Sequence, residues 1–374
     1  MTLSEAPDIT HRRRPGAGGA ARVAPYRGLG NLILSVFSVA LVGVILMQIL
    51  KGAGSIGFGF SNWQPVLYFY VAWGIALGVW QVLARGEAGK RALFVLPAAL
   101  FTVAVVVFPT LFGVYIATLD WNLASLDGPH FTGLTNFVLM LHDPYYWNAL
   151  ANMVFYVAMV AIEYAIAFGL ALLLNAEIRA RKFFRVAFLM PFMLSPVAVS
   201  WMIGKSLVEY RFGPAATLAR HLGWSTPAFF ADPWIARLSI EAMDAWVSIP
   251  FMMILLLAGL QAMPKEVAEA AKVDGASFWQ SFWRVTFPLM LPVSVTAVII
   301  RTIFKLKLAD IVINVTGGGP GGATDTVSSY IYRVYRDRSN VGYGTALAIF
   351  YLVLIVIALT LMMKIAQRFT RNIT

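Results

Sequence analysis

The sequence predicts an all-α polytopic membrane protein with about eight transmembrane helices. Hydrophobic residues make up 59% of the chain and charged residues only 13%, whereas about a quarter of an ordinary soluble domain is charged. The mean hydropathy of +0.74 agrees with that class. The apolar residues are concentrated in runs of roughly 20, the length that crosses about 30 Å of hydrocarbon.

Short polar segments separate the predicted spans. The spans cover residues 29–50, 65–84, 92–119, 148–175, 187–210, 236–262, 290–314 and 343–366. The apolar run nearest the N-terminus is long and lacks a small-residue cleavage site, which favours a retained span over a signal peptide.

Loop charges predict the orientation, because cytoplasmic loops of membrane proteins collect Lys and Arg. With the N-terminus inside, cations fall in the inner segments 85–91, 179–185, 265–284 and 364–371. Both termini are then cytoplasmic. Residues 1–27 are predicted to be a disordered basic tail and residues 367–374 a second tail. Arg333, Arg336 and Arg338 fall in an outer segment, where orientation does not explain them and an acidic partner is one interpretation.

A polar insert at residues 263–292 separates the sixth and seventh spans. Its first part, residues 264–273, starts with proline and carries glutamates in its first turns, which predicts a short helix. Gly275 ends that helix, since glycine tolerates the left-handed conformation of a C-cap. Residues 277–285 predict a second short helix. The insert is therefore expected to form a rigid bent pair of helices on the inner surface.

This insert resembles the EAA loop of ABC importer permeases. The resemblance rests on Glu269-Ala270-Ala271, Asp274-Gly275-Ala276 and Phe287-Pro288, although Phe287 stands where leucine is usual. Residues 250–261 and the Thr316–Pro320 loop are similar to the carbohydrate-uptake branch, the maltose- and glycerol-phosphate-type permeases. The resemblance covers about residues 92–374. It implies a six-helix permease domain at 92–366, preceded by two additional N-terminal helices at 28–91.

The resemblance also implies a bacterial inner membrane as the location and a complex of several chains. A second homologous permease would form a heterodimer with this one, two ATPase subunits would bind the insert, and a periplasmic substrate-binding protein would deliver a carbohydrate. ATP would be used by the partner subunit, so neither enzymatic activity nor a directly bound cofactor is expected here. The residues expected to couple to the ATPase are Glu266, Glu269, Ala270, Ala271, Asp274, Gly275 and Ala276.

Prolines and charged residues inside the spans are candidates for the substrate pathway. Prolines break the fifth span, and the carbonyls freed by such a break must face protein or a water-filled cavity. The seventh span carries charges that cost about 2.5–3.5 kcal/mol each at mid-membrane. The candidates are Glu163, Pro191, Pro196, Asp244, Arg301, Lys305, Lys307 and Asp310.

Arg301 and Lys305 leave two interpretations open. They lie four residues apart with the same charge, so acidic groups of neighbouring spans must compensate them, and the first interpretation is an internal ion-pair network. The possible acidic partners are Glu163, Glu209, Glu241 and Asp244. In the second, they face the translocation cavity and favour a phosphorylated or sulfonated sugar. Lys307 and Asp310 are three apart and can pair; the resemblance implies a structural role for them.

The segment TGGGPGG at residues 316–322 predicts a loop on the outer side. The resemblance places it where it can meet the binding protein, which makes Gly317, Gly318, Gly319 and Pro320 candidates for that contact. Turn chemistry alone explains the composition equally well. A nucleotide-binding loop would need Gly-x-x-x-x-Gly-Lys-Ser/Thr, which the sequence lacks.

Two other classes of function stay open. An ion-coupled secondary transporter would show inverted repeats and buried carboxylates along its pathway. A membrane-embedded enzyme would need clustered Asp, His or Cys, but the chain has no cysteine and four scattered histidines, so no metal site is expected. The net charge of +11 is clustered beside the spans, which indicates membrane lipid rather than nucleic acid as the partner.

Overall fold

A computed structural model of the chain describes residues 26–52, 54–176 and 179–371. Most of the basic tail predicted for residues 1–27 lies outside this range. The tail predicted for 367–374 is described only as far as residue 371, and up to there it continues the last helix. The helices form two compact units, one within residues 1–112 and one within 113–374.

The first unit is built from long helices. It contains α1 (Arg27–Gly52), α2 (Gln64–Thr102), a π-helical turn (Val103–Val107) and the start of α3 (Phe108–Ala117). The unit extends to residue 112, whereas the predicted boundary lay between residues 91 and 92. The third predicted span is therefore grouped with the first two.

A reversal at Gly86 explains this grouping. Gly86 has φ 55° and ψ −127°, a conformation that glycine reaches without the strain of a side chain. The Tyr70 hydroxyl donates to the Leu100 carbonyl at 2.6 Å, and Gly74 and Gly78 lie against side chains of the returning limb. α2 is thus a helical hairpin that contains the second predicted span and the first part of the third.

The number of spans agrees with the prediction once this hairpin is counted as two. Among the described residues, six helices are long and apolar enough to cross a membrane. Counting the bent pair Arg181–Met193 and Pro196–Leu207, which meet at 94°, as one broken span gives a seventh. The helical stretch Gln64–Ala117 has 54 residues and folds back at Gly86, so it supplies two spans. The predicted all-α polytopic fold is confirmed.

The second unit starts with a small antiparallel ribbon, β1 (Leu119–Asp120) and β2 (His130–Phe131). Its helices are α4 (Thr135–Leu141), α5 (Pro144–Asn175), α6 (Arg181–Leu189), α7 (Pro196–Val199), α8 (Pro214–His221), α9 (Pro233–Ala262), α10 (Lys265–Val273), α11 (Phe278–Ser281), α12 (Phe287–Lys305), α13 (Asp310–Val315), α14 (Val327–Arg336) and α15 (Val341–Arg371). A 3₁₀ turn (Met190–Met193) and two π-helical segments (Ser200–Leu207, Phe282–Thr286) interrupt the spans.

One hydrophobic core of this unit lies between α5, α9 and α12, which pack against one another. Both α5 and α9 begin at an aspartate N-cap followed by proline, whose missing amide hydrogen costs nothing in a first turn. Small residues of α5, Ala167 and Ala171, and large ones of α9, Met253 and Leu257, belong to the same buried cluster. Small side chains at a helix interface let two helices approach closely.

Asp143 joins the start of α5 to α14 and α15. Its carboxylate accepts the hydroxyls of Tyr330 and Tyr343, both at 2.6 Å, as well as the α5 amides of Tyr145 and Tyr146. Burial raises the pKa of Asp143, but these hydrogen bonds outweigh burial and hold the pKa below its ordinary value.

The lowered pKa of Asp143 predicts a pH-dependent contribution to stability. A carboxylate with a depressed folded pKa stabilises the fold above its unfolded pKa, and the stabilisation is lost as the pH falls through the folded value. We expect Asp143→Asn, which keeps the N-cap, to lower stability at pH 7 by on the order of 1 kcal/mol. Thermal unfolding in detergent should show that difference shrinking once the pH falls below about 4. A difference that is the same at both pH values would contradict this role.

Candidate functional site

The predicted coupling stretch forms a short helix just after α9. α9 ends at Ala262, and α10 then runs to its cap at Gly275, which has a φ of 75°. The Ala276 amide donates to the carbonyl of the buried Ala271 at 3.0 Å, the bond of a Schellman cap. A Cβ at Gly275 would meet no atom within 4 Å, so the position favours glycine for its backbone conformation alone.

α10 presents acidic, small and apolar side chains at its surface. Glu266, Glu269, Ala270 and Asp274 are exposed, and Val273 is 87% exposed. A single exposed valine is common on protein surfaces, so exposure alone does not identify a partner. The structure brings the predicted coupling residues together on or directly after one helix, and their contact with an ATPase stays a prediction.

The second short helix, predicted for residues 277–285, is not a separate element. Ser277 and Gln280 form a capping box that starts α11. The helix then continues through the π turn 282–286 into α12, and Pro288 lies in the first turn of α12. Pro288 lies just after the π turn, where the helical hydrogen bonding is already irregular, and the helix continues past it. The insert is therefore one short helix followed by an N-terminal extension of α12.

Aromatic contacts connect this extension to α5. The Phe282 ring lies 5.5 Å from that of Phe168 on α5 and 6.0 Å from that of Phe287. α10 itself packs against the π turn that contains Phe282. A displacement of α10 would therefore be transmitted to α12 and α5 by the aromatic contacts of Phe282.

Five charged side chains of α5, α9 and α12 form a buried group, here called the ion cluster: Glu163, Glu241, Asp244, Arg301 and Lys305. The Lys305 Nζ atom lies 2.8 Å from Glu163, 2.6 Å from Glu241 and 2.5 Å from Asp244. Arg301 donates to Glu163 through Nε at 2.5 Å and through Nη2 at 2.9 Å, and it also contacts Asp244. Each carboxylate thus has a cationic partner.

The ion cluster is the internal network of the first interpretation. Arg301 is 2% exposed and Lys305 is 0% exposed, and their donors are directed at carboxylates. The second interpretation, in which both cations bind an anionic sugar, stays a prediction that would require the cluster to open.

Carboxylate oxygens of Glu163, Glu241 and Asp244 lie within 4.8 Å of one another, a spacing that could hold a metal ion. Lys305 already places its ammonium group against all three. A metal ion would therefore have to displace a buried lysine, which makes these residues a poor metal site.

Lys307 and Asp310 do not form the expected pair. α12 ends at Lys305 and α13 begins at Asp310, so the helical spacing that would bring the two side chains together is missing. The chain turns between the helices, where the Leu308 amide donates to the Lys305 carbonyl at 2.9 Å. Both side chains are exposed, and in the described part of the chain no ion pair joins them.

The fifth span is broken where its prolines predict. Pro191 lies in the 3₁₀ turn, Pro196 begins α7, and the two parts meet at 94°. Two largely apolar cavities, of about 850 and 780 Å³, follow this span, and Met202 and Trp246 line both. Pro191 lines the second. The break therefore borders open volume, although a role of that volume in transport stays a prediction.

The glycine loop is anchored to neighbouring spans. Asn148 and Asn152 of α5 donate to the Gly322 carbonyl at 2.7 and 3.1 Å, and Arg237 of α9 donates to the Ala323 carbonyl at 2.7 Å. Its four predicted binding-protein residues differ in exposure: Gly317 is exposed, Gly319 and Pro320 are half-buried, and Gly318 is buried.

The three unexplained arginines also belong to this region. Arg333 contacts the buried carboxylate of Asp325, whose pKa burial raises above its ordinary value. Arg336 donates to the Tyr332 hydroxyl at 2.5 Å, and Arg338 lies over the Tyr330 ring. Arg333 thus forms an internal ion pair, which explains its place in an outer segment where membrane orientation does not.

Glu241 was predicted as a possible partner of the two cations but not as a pathway candidate, whereas Asp244 was predicted as both. Glu209, the fourth possible partner, is not part of the cluster, because its carboxylate accepts from the backbone amides of Arg211 and Phe212. Glu241 and Asp244 lie on α9, three residues apart and therefore on one helix face. The sequence contains a signal for this cluster. α9 carries two acids on one face, and α12 carries two cations four residues apart, so the two spans can pair their charges.

Comparison with known families gives one match that covers more than half of the chain. The family model described as "Binding-protein-dependent transport system inner membrane component" matches residues 164–371. That range contains the insert, the glycine loop and all of the ion cluster but Glu163.

Individual relatives extend the match toward the N-terminus. The trehalose/maltose transport system permease protein MalF of Thermococcus litoralis is 32% identical over 287 residues, 76% of this chain and 96% of that protein. The sulfoquinovosyl glycerol transport system permease protein SmoG of Agrobacterium fabrum is 34% identical over 268 residues, 70% of this chain and 86% of that protein. The sn-glycerol-3-phosphate permease UgpA of the same organism is 32% identical over 280 residues, 72% and 91% of the two chains.

A solved structure shares the fold. A chain of a bacterial alginate ABC transporter, in complex with an alginate pentasaccharide-bound periplasmic protein, superposes with a TM-score of 0.65 at 21% identity. The similarity covers 75% of this chain and 95% of that chain.

The contacts of the ion cluster predict a ranking of substitutions. Lys305→Met leaves Glu241 without a cationic partner in the cluster. Arg301 is then the one cation left there for Glu163 and Asp244, and breaking a buried pair in this way should cost about 3–5 kcal/mol. Glu241→Gln removes a carboxylate that contacts Lys305 but not Arg301, and it leaves two cations facing two carboxylates, so we expect a cost below about 1 kcal/mol. Thermal unfolding of the purified variants measures the ranking. Equal losses of stability would show that the cluster is not organised around Lys305.

Proposed function

Because the chain belongs to the family of binding-protein-dependent transport system inner membrane components, we propose that it is a permease subunit of an ABC importer for a carbohydrate. The family is one of transport permeases and not of enzymes, and its members are proteins of the inner membrane. The observation that carries the proposal is the exposed, glycine-capped α10 at the end of α9, which gives an ATP-driven partner a place to bind.

The substrate class comes from the relatives. Their names include trehalose or maltose, sulfoquinovosyl glycerol and sn-glycerol 3-phosphate, so both neutral and anionic compounds occur among them. A sugar, oligosaccharide or glycoside is therefore the proposed substrate. An anionic one would need cations other than Arg301 and Lys305, or an opening of the ion cluster, because both are buried against carboxylates.

The proposed complex contains a second homologous permease, two ATPase subunits and a periplasmic binding protein. ATP hydrolysis would take place in the ATPase subunits. Glu266 and Glu269 would pair with basic residues of the ATPase groove, and Ala270 and Val273 would let it approach closely. On the outer side, the exposed Gly317 of the glycine loop would meet the binding protein. Both termini would then lie in the cytoplasm.

ATP binding would act on substrate access at a distance. Closure of the ATPase subunits would move α10, and the contact of Phe282 with Phe168 would pass that movement to α5. The spans would then alternate between inward-open and outward-open arrangements around a site near the midplane. The broken fifth span and the cavities along it are the proposed pathway.

Ion-coupled secondary transport is the alternative. It would use buried carboxylates on the pathway, but the buried Glu163, Glu241 and Asp244 are held by Lys305 and Arg301. Affinity purification from native membranes separates the two functions. Recovery of an ATPase and a second permease supports the importer, and transport by this chain without any ATPase would overturn it.

A substitution at Gly275 tests the coupling assignment. Gly275→Val forces a β-branched residue into a φ of 75°, which strains α10's cap by about 1–2 kcal/mol without a side-chain clash. We expect substrate-stimulated ATPase activity of the purified complex to fall by roughly tenfold, with the chain still in the membrane. The control is Gly128→Val, at a φ of 70° in a loop with equally open space. Normal stimulation in Gly275→Val, or an equal loss in both variants, would remove the assignment.

A further inference from the structure

We propose that α6 and the C-terminal end of α9 bind an anionic phospholipid. Its phosphate would lie at Arg185 and Lys182, and part of an acyl chain would occupy the apolar cavity between the two helices. The proposal rests on the proposed function only for the membrane and for the inner position of this end of the helices.

The segment before and within α6 is unusually cationic. Residues 175–185 read NAEIRARKFFR, with four cations and one acid, Glu177, which lies outside the described residues. None of the four cations, Arg179, Arg181, Lys182 and Arg185, forms an ion pair with a described residue. This stretch therefore has positive charge that the described part of the chain does not neutralise.

The surface of α6 combines this charge with exposed apolar side chains. Lys182 is exposed, Phe183 is 68% exposed and Val186 is 64% exposed. Helices with cations next to exposed aromatic and aliphatic residues lie at the level of lipid headgroups, where the rings enter the acyl boundary and the cations reach phosphates. α6 is therefore suited to the inner surface of an anionic membrane.

A cavity beside α6 supplies the site itself. It has a volume of about 230 Å³, and its polar lining residues are Arg185 and Gln261, while Leu189, Met253 and Leu257 are among its apolar ones. Basic pockets of this kind between membrane helices, at the cytoplasmic side, bind the headgroups of anionic lipids. The cavity offers a cation at one place and apolar walls around it, which matches a phosphate attached to an acyl chain.

Arg185 has donor capacity left for such a ligand. With the Gln261 amide turned so that its oxygen faces α6, that oxygen accepts from Arg181 at 3.0 Å and from Arg185. The Arg185 Nε atom is buried and has no hydrogen-bond partner among the described residues. An unpaired buried donor is costly, and a phosphate oxygen is a strong acceptor for a guanidinium group. A lipid phosphate would therefore satisfy the atom that the protein leaves unpaired.

Lipid retention by the purified protein tests the proposal. The full chain, with the subunits that accompany it, is exchanged into micelles of phosphatidylglycerol and phosphatidylcholine, and the retained lipid is counted by native mass spectrometry. We expect a preference for phosphatidylglycerol that falls about fivefold in Arg185→Gln and in Lys182→Gln. Arg185→Lys keeps the cation and should keep most of the binding. The matched control is Arg91→Gln, an exposed cation of the first unit on the predicted inner side.

A second variant separates the lipid from other ligands. Ala258→Phe fills the cavity from an exposed position and leaves every cation in place, so it should also lower retention. Displacement of the lipid by inorganic phosphate at equal concentration would overturn the proposal, because the acyl chain would then contribute nothing. Equal retention in Arg185→Gln and Arg91→Gln would overturn it, as would loss of a protein subunit instead of lipid in Arg185→Gln. The count needs neither ATP nor substrate, so a failure here leaves the importer proposal untouched.

Discussion

The ion cluster is the interaction on which the second unit depends. Charged side chains inside a membrane are tolerated only when they are paired, and a buried pair is weak unless its geometry is good. Lys305 reaches carboxylates of both α5 and α9 from α12, within 2.8 Å of each. Any slide or rotation of one of these helices would leave a charge unpaired. The cluster therefore holds α5, α9 and α12 in one register.

The position of α10 connects the predicted ATPase contact to the helices that the ion cluster joins. α9 leads directly into α10, and the extension that follows it runs without a break into α12. Both ends of the insert thus belong to helices that the ion cluster joins, while Phe282 adds a contact with α5. A force on α10 would move three helices together. The broken fifth span has cavities along it, so it is the neighbouring element with room to change conformation.

Much of this organisation could be predicted from the sequence because it follows from local chemistry. Apolar length gives the spans, and the glycine of a Schellman cap gives the end of α10 near Gly275. The predictions that failed concerned the junctions between consecutive helices. The second short helix predicted for residues 277–285 instead continues through a π turn into α12. Lys307 and Asp310 were expected to pair, but the helix ends between them. The partners of Arg301 could be narrowed to nearby acids, while choosing among them required the packing of three helices.

The most direct test of the account is a distance between α5 and α12 in two states of the complex. The chain has no cysteine, so spin labels can be placed at Leu173→Cys and Leu289→Cys, two exposed positions on these helices. Electron–electron double resonance then compares the nucleotide-free complex with the ATP-bound one. If the ion cluster holds the helices as one body, the distance distribution stays the same while α10 moves with the ATPase. A shift of the α5–α12 distance on ATP binding would contradict the account.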